Sequence, residues 1–220
     1  MKITKKKVFV SALIICLLAI VSMSTLAWFS ASDSVKNEFY VADSDNPTDD
    51  PEDIFSVAVW EKTPESDKDT DGYEYKEILP GAKLTKEPHI ENTGYYSQYI
   101  RAVVTVTSAD AWIAAVEAKT ANVTDVFVGF DATKWDNISR EYDAAANTVT
   151  YVLYYTEVLE SDKDITLFEQ VKIPESLTVA EAAAFNGGFT ITVKAQAVQT
   201  ENVGNNAFEA FETVKMAIAD

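Results

Sequence analysis

The sequence predicts an all-β fold, an antiparallel β-sandwich of two sheets with a few short helical inserts. Two observations lead to this prediction. Hydrophobic and polar residues alternate with a period of two in several segments, as in half-buried antiparallel strands. No regular succession of strand, helix and strand runs along the chain, which disfavours a parallel α/β sheet. At 220 residues, the chain is long enough to bury a substantial core.

Four segments carry the clearest strand pattern. In FTITVKAQAV, Phe189, Ile191 and Val193 alternate with polar residues. In YIRAVVTVTS, the pattern places Ile100 on the apolar face and Arg101 on the opposite face. The turn residues in YDAAANTV predict a hairpin with the strand that follows it. The other two strand segments are FSVAVWE and NTVTYVLYYTE.

Three segments with helical patterns interrupt the strands. DAWIAAVEAK is expected to begin a helix at Asp110. TVAEAAAF has Thr178 at its start and Glu181 three residues later, the pattern of a capping box. AFEAFETVKMAI repeats apolar residues at helical spacing and predicts a helix from Ala207 to Ile218.

The first residues have the layout of a secretory signal peptide, with lysines, an apolar run and then small residues at TLA. The run is long enough to cross a bilayer, so a retained anchor is the alternative. Acidic rather than basic residues follow the run, which favours cleavage between Ala27 and Trp28 and no permanent membrane anchor. The predicted organisation is a signal peptide at 1–27, an arm and acidic loop at 28–54, and a β-sandwich domain with a C-terminal helix at 55–220.

The charge and the cysteine content restrict the function further. A net charge of −17 at pH 7 argues against a nucleic-acid partner, because phosphate binding needs a basic face. Such a charge suits a soluble exported protein. The single cysteine, Cys16, lies in the predicted signal peptide, so the exported chain would have no thiol for a disulfide or a thiolate metal site.

Catalytic patterns are weak, and no catalytic residue is predicted. The single histidine, His89, cannot form the two-imidazole zinc site of an H-E-x-x-H motif, and a structural role is expected for it. Asp67, Asp69 and Asp71 reproduce the D-x-D-x-D-G opening of a calcium loop, but Ile78 stands where a closing glutamate is required. Calcium is therefore the one candidate cofactor, and a solvated acidic hairpin tip is the alternative.

Residues 28–41 are a candidate arm strand with one apolar edge. Its many serine, aspartate and asparagine residues disfavour a helix. Such an arm either pairs within its own sheet or completes the sheet of a neighbouring subunit, and the sequence leaves both arrangements open. The residues on the apolar edge are Phe29, Ala31, Val35, Phe39 and Val41.

Three segments carry a resemblance to a known family, and the third, VKIPESLTVAEAAAFNGGFTITVKAQAVQTE, resembles the closing part of its clostridial members. LAWFSASDSVKNEFYVADSD resembles the signal-peptide junction and first mature strand of the TasA/camelysin family, whose members are exported and processed by a SipW-type signal peptidase. ILPGAKLTKEPHIENTGYYSQYIRAVVTV is similar to the family's L-x-P-G turn, its T-K-x-P segment and its NTG motif followed by a Y-I-R strand.

The resemblance implies a jelly-roll-like sandwich and a secreted role in the extracellular biofilm matrix or at the surface of a Gram-positive cell. It also implies fibres in which the arm of one subunit enters the next, which is either a copy of the same chain or a paralogous subunit. The alternatives are a monomeric cell-surface binding or accessory module and a camelysin-type secreted metalloprotease, for which the sequence has no recognisable zinc motif.

Overall fold

The structure is a computed structural model that describes residues 30–34 (backbone only), 55–70, 72–75, 78–185 and 188–218. The helices are α1 Ala109–Ala115, α2 Val179–Ala184 and α3 Ala207–Val214. The strands, in chain order, are β1 Ser30–Ser34, β2 Val57–Lys62, β3 Lys83–Thr85, β4 Glu87–Asn92, β5 Gln98–Thr107, β6 Phe127–Val128, β7 Trp135–Asp143, β8 Thr148–Tyr155, β9 Asp164–Thr166, β10 Gln170–Lys172 and β11 Ile191–Gln199.

The strands form one large and two small sheets in which neighbours run antiparallel. The large sheet has the order β1-β11-β5-β8-β7, and the small sheets have the orders β3-β10-β6 and β2-β4-β9. With three short α-helices beside these strands in the described residues, the predicted all-β antiparallel sandwich is confirmed. The jelly-roll connectivity stays a prediction.

The main hydrophobic core draws side chains from all three sheets. Val104 and Tyr151 come from the large sheet, Ile90 from one small sheet and Phe127 from the other, and Trp112 of α1 packs with them. Each strand contributes every second residue to this core because its side chains alternate between the two faces. The large sheet therefore forms one layer, and the two small sheets face it across the core.

A second, smaller core covers the opposite face of the large sheet. It joins Tyr99, Tyr154 and Val198 of three neighbouring strands to Ala210 and Phe211 of α3. The centre of the large sheet is therefore buried on both faces. This explains why nine of the ten residues of β5, Gln98–Thr107, are buried or partly buried, although apolar and polar residues alternate along the strand.

The helix boundaries differ from the predicted ones. The first helix begins at Ala109, one residue before the expected Asp110, after Ser108 with a φ of +54°. The last helix ends at Val214 rather than Ile218, because Lys215 adopts the left-handed conformation, with a φ of +52°, that terminates helices. The capping box at the start of α2 is confirmed, since Thr178 and Glu181 exchange side-chain to backbone hydrogen bonds.

The segment Leu79–Pro80–Gly81–Ala82 forms a tight turn before β3. The amide of Ala82 donates to the carbonyl of Leu79 at 3.0 Å, and Gly81 has a φ of +79°. A positive φ at the third position of a turn after proline is the type II geometry, which favours glycine there. A Cβ at Gly81 would also lie 3.1 Å from Cγ of Glu175. The L-x-P-G motif therefore has a conformational cause.

Candidate assembly site at the edge of β11

The N-terminal strand β1 lies antiparallel to β11 of the same chain and forms one edge of the large sheet. The register places Ser30 opposite Val198, Ala31 opposite Ala197 and Ser34 opposite Lys194. The described pairing of the arm is thus within the chain. The other predicted arm residues, Phe29, Val35, Phe39 and Val41, and the predicted cleavage pair Ala27 and Trp28, lie outside the described residues.

Strand β11 is packed on both of its faces, so its backbone edge is what remains for β1. Val193, Ala195 and Ala197 point into the main core and are buried. On the other face, Val198 belongs to the second core and Gln196 is buried. Strand β5 holds one edge of β11 along its whole length. The remaining edge offers the amide and carbonyl groups with which an added strand pairs.

A buried arginine fixes β11 from the side of α3. Arg101 of β5 is 3% exposed and donates from Nε to Oε1 of Gln196 at 2.9 Å. Its Nη2 donates to the carbonyl of Ala217 at 2.8 Å, and Nε2 of Gln196 donates to the same carbonyl at 2.8 Å. The guanidinium carbon lies 4.3 Å from the ring centroid of Phe211. These contacts tie β5, β11 and the tail after α3 together through neutral partners.

The opposite edge of the large sheet has a different character. Strand β7, Trp135–Asp143, pairs with β8, and its residues after Trp135 are exposed. The register shifts between Asp136 and Ser139, and Asn137 between them has a φ of +46°. Bulges and charged residues, here Arg140 and Glu141 among others, are features that protect edge strands from further pairing. The β11 edge has a partner strand, whereas the β7 edge is protected by its own irregularity.

The β7 edge is anchored from the core side by a network around Tyr151 of β8. Its hydroxyl contacts the carboxylate of Glu117 and accepts a hydrogen bond from Nε1 of Trp112 at 3.1 Å. Arg140 of β7 donates to the same carboxylate at 2.9 Å. Burial, and then the hydrogen bond to Glu117, hold the pKa of Tyr151 well above its ordinary value. The phenol therefore stays protonated and acts as a structural donor.

The NTG motif forms a buried polar cluster at the end of the sandwich. Asn92 is fully buried, and its Nδ2 donates to the carbonyls of Tyr96 and Leu159, each at 2.9 Å. Its Oδ1 accepts from the amide of Gly94 at 2.9 Å and from Nε2 of Gln98 at 2.6 Å. One side chain thus holds the β4–β5 turn against the loop that leads to β9. This role was not predicted from the sequence.

His89 connects strands of one small sheet. Its ring stacks on Trp60 of β2 with centroids 3.8 Å apart. Nδ1 lies 2.8 Å from a carboxylate oxygen of Asp164 in β9, and Nε2 lies 3.2 Å from Glu87 of its own strand. The side chain therefore contacts β2, β4 and β9 at once. These contacts give His89 a structural place in the sheet, as expected from the sequence.

The predicted calcium ligands are only partly within the described residues. Asp69 pairs with Glu61 of β2 through two backbone hydrogen bonds of 2.7 Å, and its Oδ2 accepts from the hydroxyl of Thr63 at 3.3 Å. Asp67 is exposed, and Asp71 lies outside the described residues. Among the residues that the structure describes, no group of three or more histidine, cysteine or acidic side chains is arranged to hold a metal ion. The calcium site stays a prediction.

Two further findings bear on function. Within the described ranges, no helix is long and apolar enough to cross a membrane. Comparison of the chain with protein-family models, with curated proteins and with solved structures finds no match.

Proposed function

We propose that this chain is a secreted structural protein of the extracellular matrix or cell surface, and that it assembles into fibres by donating β1 to the β11 edge of the next copy. The pairing of Ser30–Ser34 with β11 supports the proposal, because it shows that this strand fits the edge that a donated strand would occupy. Any copy presents the same acceptor edge. An identical strand from a neighbour can therefore occupy it in the same register, as in domain swapping.

The energetic cost of this exchange is small. A five-residue antiparallel pairing contains about five backbone hydrogen bonds, each with a net contribution of about 1 kcal/mol. Detaching β1 therefore costs about 5 kcal/mol in backbone hydrogen bonds, and pairing with a neighbour restores the same bonds, so the net cost of the exchange is small. Edge segments of this kind open without global unfolding. The balance between the two arrangements then depends on protein concentration.

The chain between β1 and the next strand is long enough for the exchange. Residues 35–56 separate Ser34 from Val57, and at about 3.3 Å per residue they can span up to about 70 Å. A folded domain of this size is about 40 Å across. The arm can therefore reach the acceptor edge of a touching neighbour.

The protected β7 edge gives the proposed assembly a direction. A copy donates β1 and accepts at β11, and β7 with its bulge and charges adds no further strand. The contact is head-to-tail, because the donating and accepting surfaces differ. Head-to-tail contacts that do not close into a ring produce filaments.

A second candidate function is a monomeric cell-surface module whose arm remains in its own sheet. The observation that favours it is the same pairing, since β1 lies on β11 of its own chain. The two candidates differ in whether another copy's arm replaces β1. They make opposite predictions about which chain supplies the strand when protein is concentrated.

A cysteine pair distinguishes the two candidates. Ser34 and Lys194 are register partners, so a Ser34→Cys, Lys194→Cys variant places two thiols opposite each other across the β1–β11 pairing. The protein should be purified as the predicted exported chain beginning at Trp28, which lacks Cys16. After mild oxidation of dilute and of assembled samples, non-reducing electrophoresis shows whether each disulfide lies within one chain or between chains.

Strand donation predicts intrachain disulfides in dilute protein and a ladder of covalent oligomers in assembled protein. Ser34→Cys alone is the matched control and should give no more than dimers. Fibres that contain only intrachain disulfides would refute strand donation. Protein that stays monomeric at high concentration, with intrachain disulfides throughout, would support the surface module instead.

A further inference from the structure

Two adjacent tyrosines are exposed on the turn between β4 and β5. Tyr95 is 58% exposed and Tyr96 is 60% exposed. The ring of Tyr96 stacks on Phe55 with centroids 5.6 Å apart, which holds it in place. Large aromatic side chains that stay exposed in neighbouring positions are unusual on a folded surface and mark candidate interaction sites.

The loop after β8, which carries several carboxylates, is held against this turn. Nδ2 of Asn92 donates to the carbonyls of both Tyr96 and Leu159, so the turn and this loop meet at one atom. The hydroxyl of Ser161 donates to the carbonyl of Gly94 at 2.7 Å, which joins them a second time. The exposed residues of the loop include Glu157, Val158, Glu160 and Asp162.

Together these six residues form what we name the tyrosine–carboxylate surface: Tyr95, Tyr96, Glu157, Val158, Glu160 and Asp162. Lys163 is the one basic residue in the two segments 93–98 and 156–164, so the surface is strongly acidic. The buried Asn92 and Gln98 fix its backbone from below. A surface fixed before binding loses little conformational entropy when a partner docks.

We propose that the tyrosine–carboxylate surface binds a cationic protein partner, a segment that carries several lysine or arginine side chains. The aromatic rings accept the aliphatic stems and the charged heads through cation–π contacts, and the carboxylates pair with the heads. The charge of −17 makes a second copy of this chain a poor occupant, because it is itself acidic. This proposal uses side chains of the β4–β5 turn and of the loop after β8, whereas the proposed strand exchange uses the backbone edge of β11.

The chain already contains this type of contact elsewhere. Nζ of Lys68 lies 5.2 Å from the ring centroid of Trp60 and 2.8 Å from the carboxylate of Glu91. One ammonium group thus contacts an aromatic ring and a carboxylate together. At the tyrosine–carboxylate surface the rings and carboxylates are present and exposed, and the partner supplies the cations.

The test is binding of a fluorescent peptide of alternating lysine and serine, measured by anisotropy with the purified exported chain. We expect the double variant Tyr95→Ala, Tyr96→Ala to weaken binding about tenfold, equivalent to about 1.4 kcal/mol for the two lost ring contacts. The variant Tyr95→Phe, Tyr96→Phe keeps the rings and should bind as the wild type does. Raising the salt from about 0.1 M to about 1 M, which shortens the Debye length from about 10 Å to about 3 Å, should also weaken binding.

Tyr142 on β7 provides a matched control, since it is exposed and flanked by Glu141 and Asp143. The proposal expects Tyr142→Ala to leave peptide binding unchanged, and Glu157→Gln with Glu160→Gln to weaken it. It is overturned if the Tyr142 variant loses as much affinity as the Tyr95 and Tyr96 variant, since binding would then follow overall charge. Preference for a neutral oligosaccharide over the peptide, with no salt dependence, would likewise overturn it and assign the surface to glycans.

Discussion

Replacing Asn92 by aspartate changes one NH2 group into an oxygen and leaves the shape of the side chain nearly unaltered. In the wild type this NH2 group donates to the carbonyls of Tyr96 and Leu159, each at 2.9 Å. A carboxylate has no hydrogen to donate, so both contacts become repulsive contacts between oxygens. The accepting contacts from Gly94 and Gln98 remain and offset part of the loss.

The expected effect on stability follows from the burial of this side chain. Asn92 is 0% exposed, so water cannot replace the lost donor. Each buried group left without its partner costs about 1–3 kcal/mol, and two carbonyls lose theirs. Allowing for the accepting contacts that remain, we expect the free energy of unfolding to fall by about 4 kcal/mol at pH 7. This is a large part of the about 5–15 kcal/mol that stabilises a typical domain.

The loss should depend on pH with a defined sign. Burial and the facing carbonyls raise the pKa of the introduced carboxyl in the folded state above its ordinary value of about 3.9. A raised folded pKa means that the folded state retains the proton where the unfolded state has lost it. Stability is therefore highest below about pH 4 and is lost as the pH rises through the folded pKa. The deficit relative to the wild type should grow from acidic to neutral pH.

Urea unfolding followed by circular dichroism, at a series of pH values, measures this deficit directly. The exposed Asn202 supplies the control, since Asn202→Asp makes the same chemical change at the surface. A deficit in the Asn92 variant no larger than that of the control would refute the assignment of Asn92 as a buried double donor. So would a deficit that shrinks as the pH rises.

Three further predictions concern other groups. Tyr75→Phe should raise the free energy of unfolding by about 1 kcal/mol at pH 7, because it removes a buried hydroxyl that has no hydrogen-bond partner among the described residues. Burial raises the pKa of Tyr75 to about 12, so the wild type loses stability between about pH 10 and pH 12. The Tyr75→Phe variant should therefore unfold less in alkali. Urea unfolding at neutral and at high pH measures both effects. The hydrogen bond from Lys119 lowers the pKa of Glu181 to about 2. The stability that this carboxylate contributes is therefore present above about pH 4.5 and lost as the pH falls toward 2. In Glu181→Gln the free energy of unfolding should change less with pH over this acidic range. Fibre assembly, followed by light scattering, should increase with added salt, calcium or acid because the net charge of −17 makes neighbouring copies repel; assembly indifferent to all three would contradict this.

The long strands could be predicted because one of their faces meets the core. In β5, β8 and β11 apolar and polar residues alternate because one face of each strand packs against the core. The short strands Lys83–Thr85 and Gln170–Lys172 have too few residues to show a period, so the small sheet β3-β10-β6 could not be assigned. The arm was predicted as a strand, and its position on β11 is set by pairing between distant parts of the chain.

The polar face of β5 shows why the buried arginine was missed. Alternation placed Arg101 on the side away from the main core, and this is correct. That side is then covered by α3, whose apolar residues at helical spacing need a surface to pack on. The sequence did predict an amphipathic C-terminal helix and a sheet with one face left uncovered, and together these indicate that the helix could cover that face. The sequence alone does not show that α3 packs over Arg101 of β5, because packing between distant segments decides this.

Three of the motifs behind the family resemblance have structural causes in the described residues. Gly81 makes the turn before β3, Asn92 joins two loops, and Arg101 ties the tail after α3 to the large sheet. These three motifs contribute to the folding of the chain. The β11 edge pairs through its backbone groups, which explains how a short serine-rich strand such as Ser30–Ser34 can lie against it.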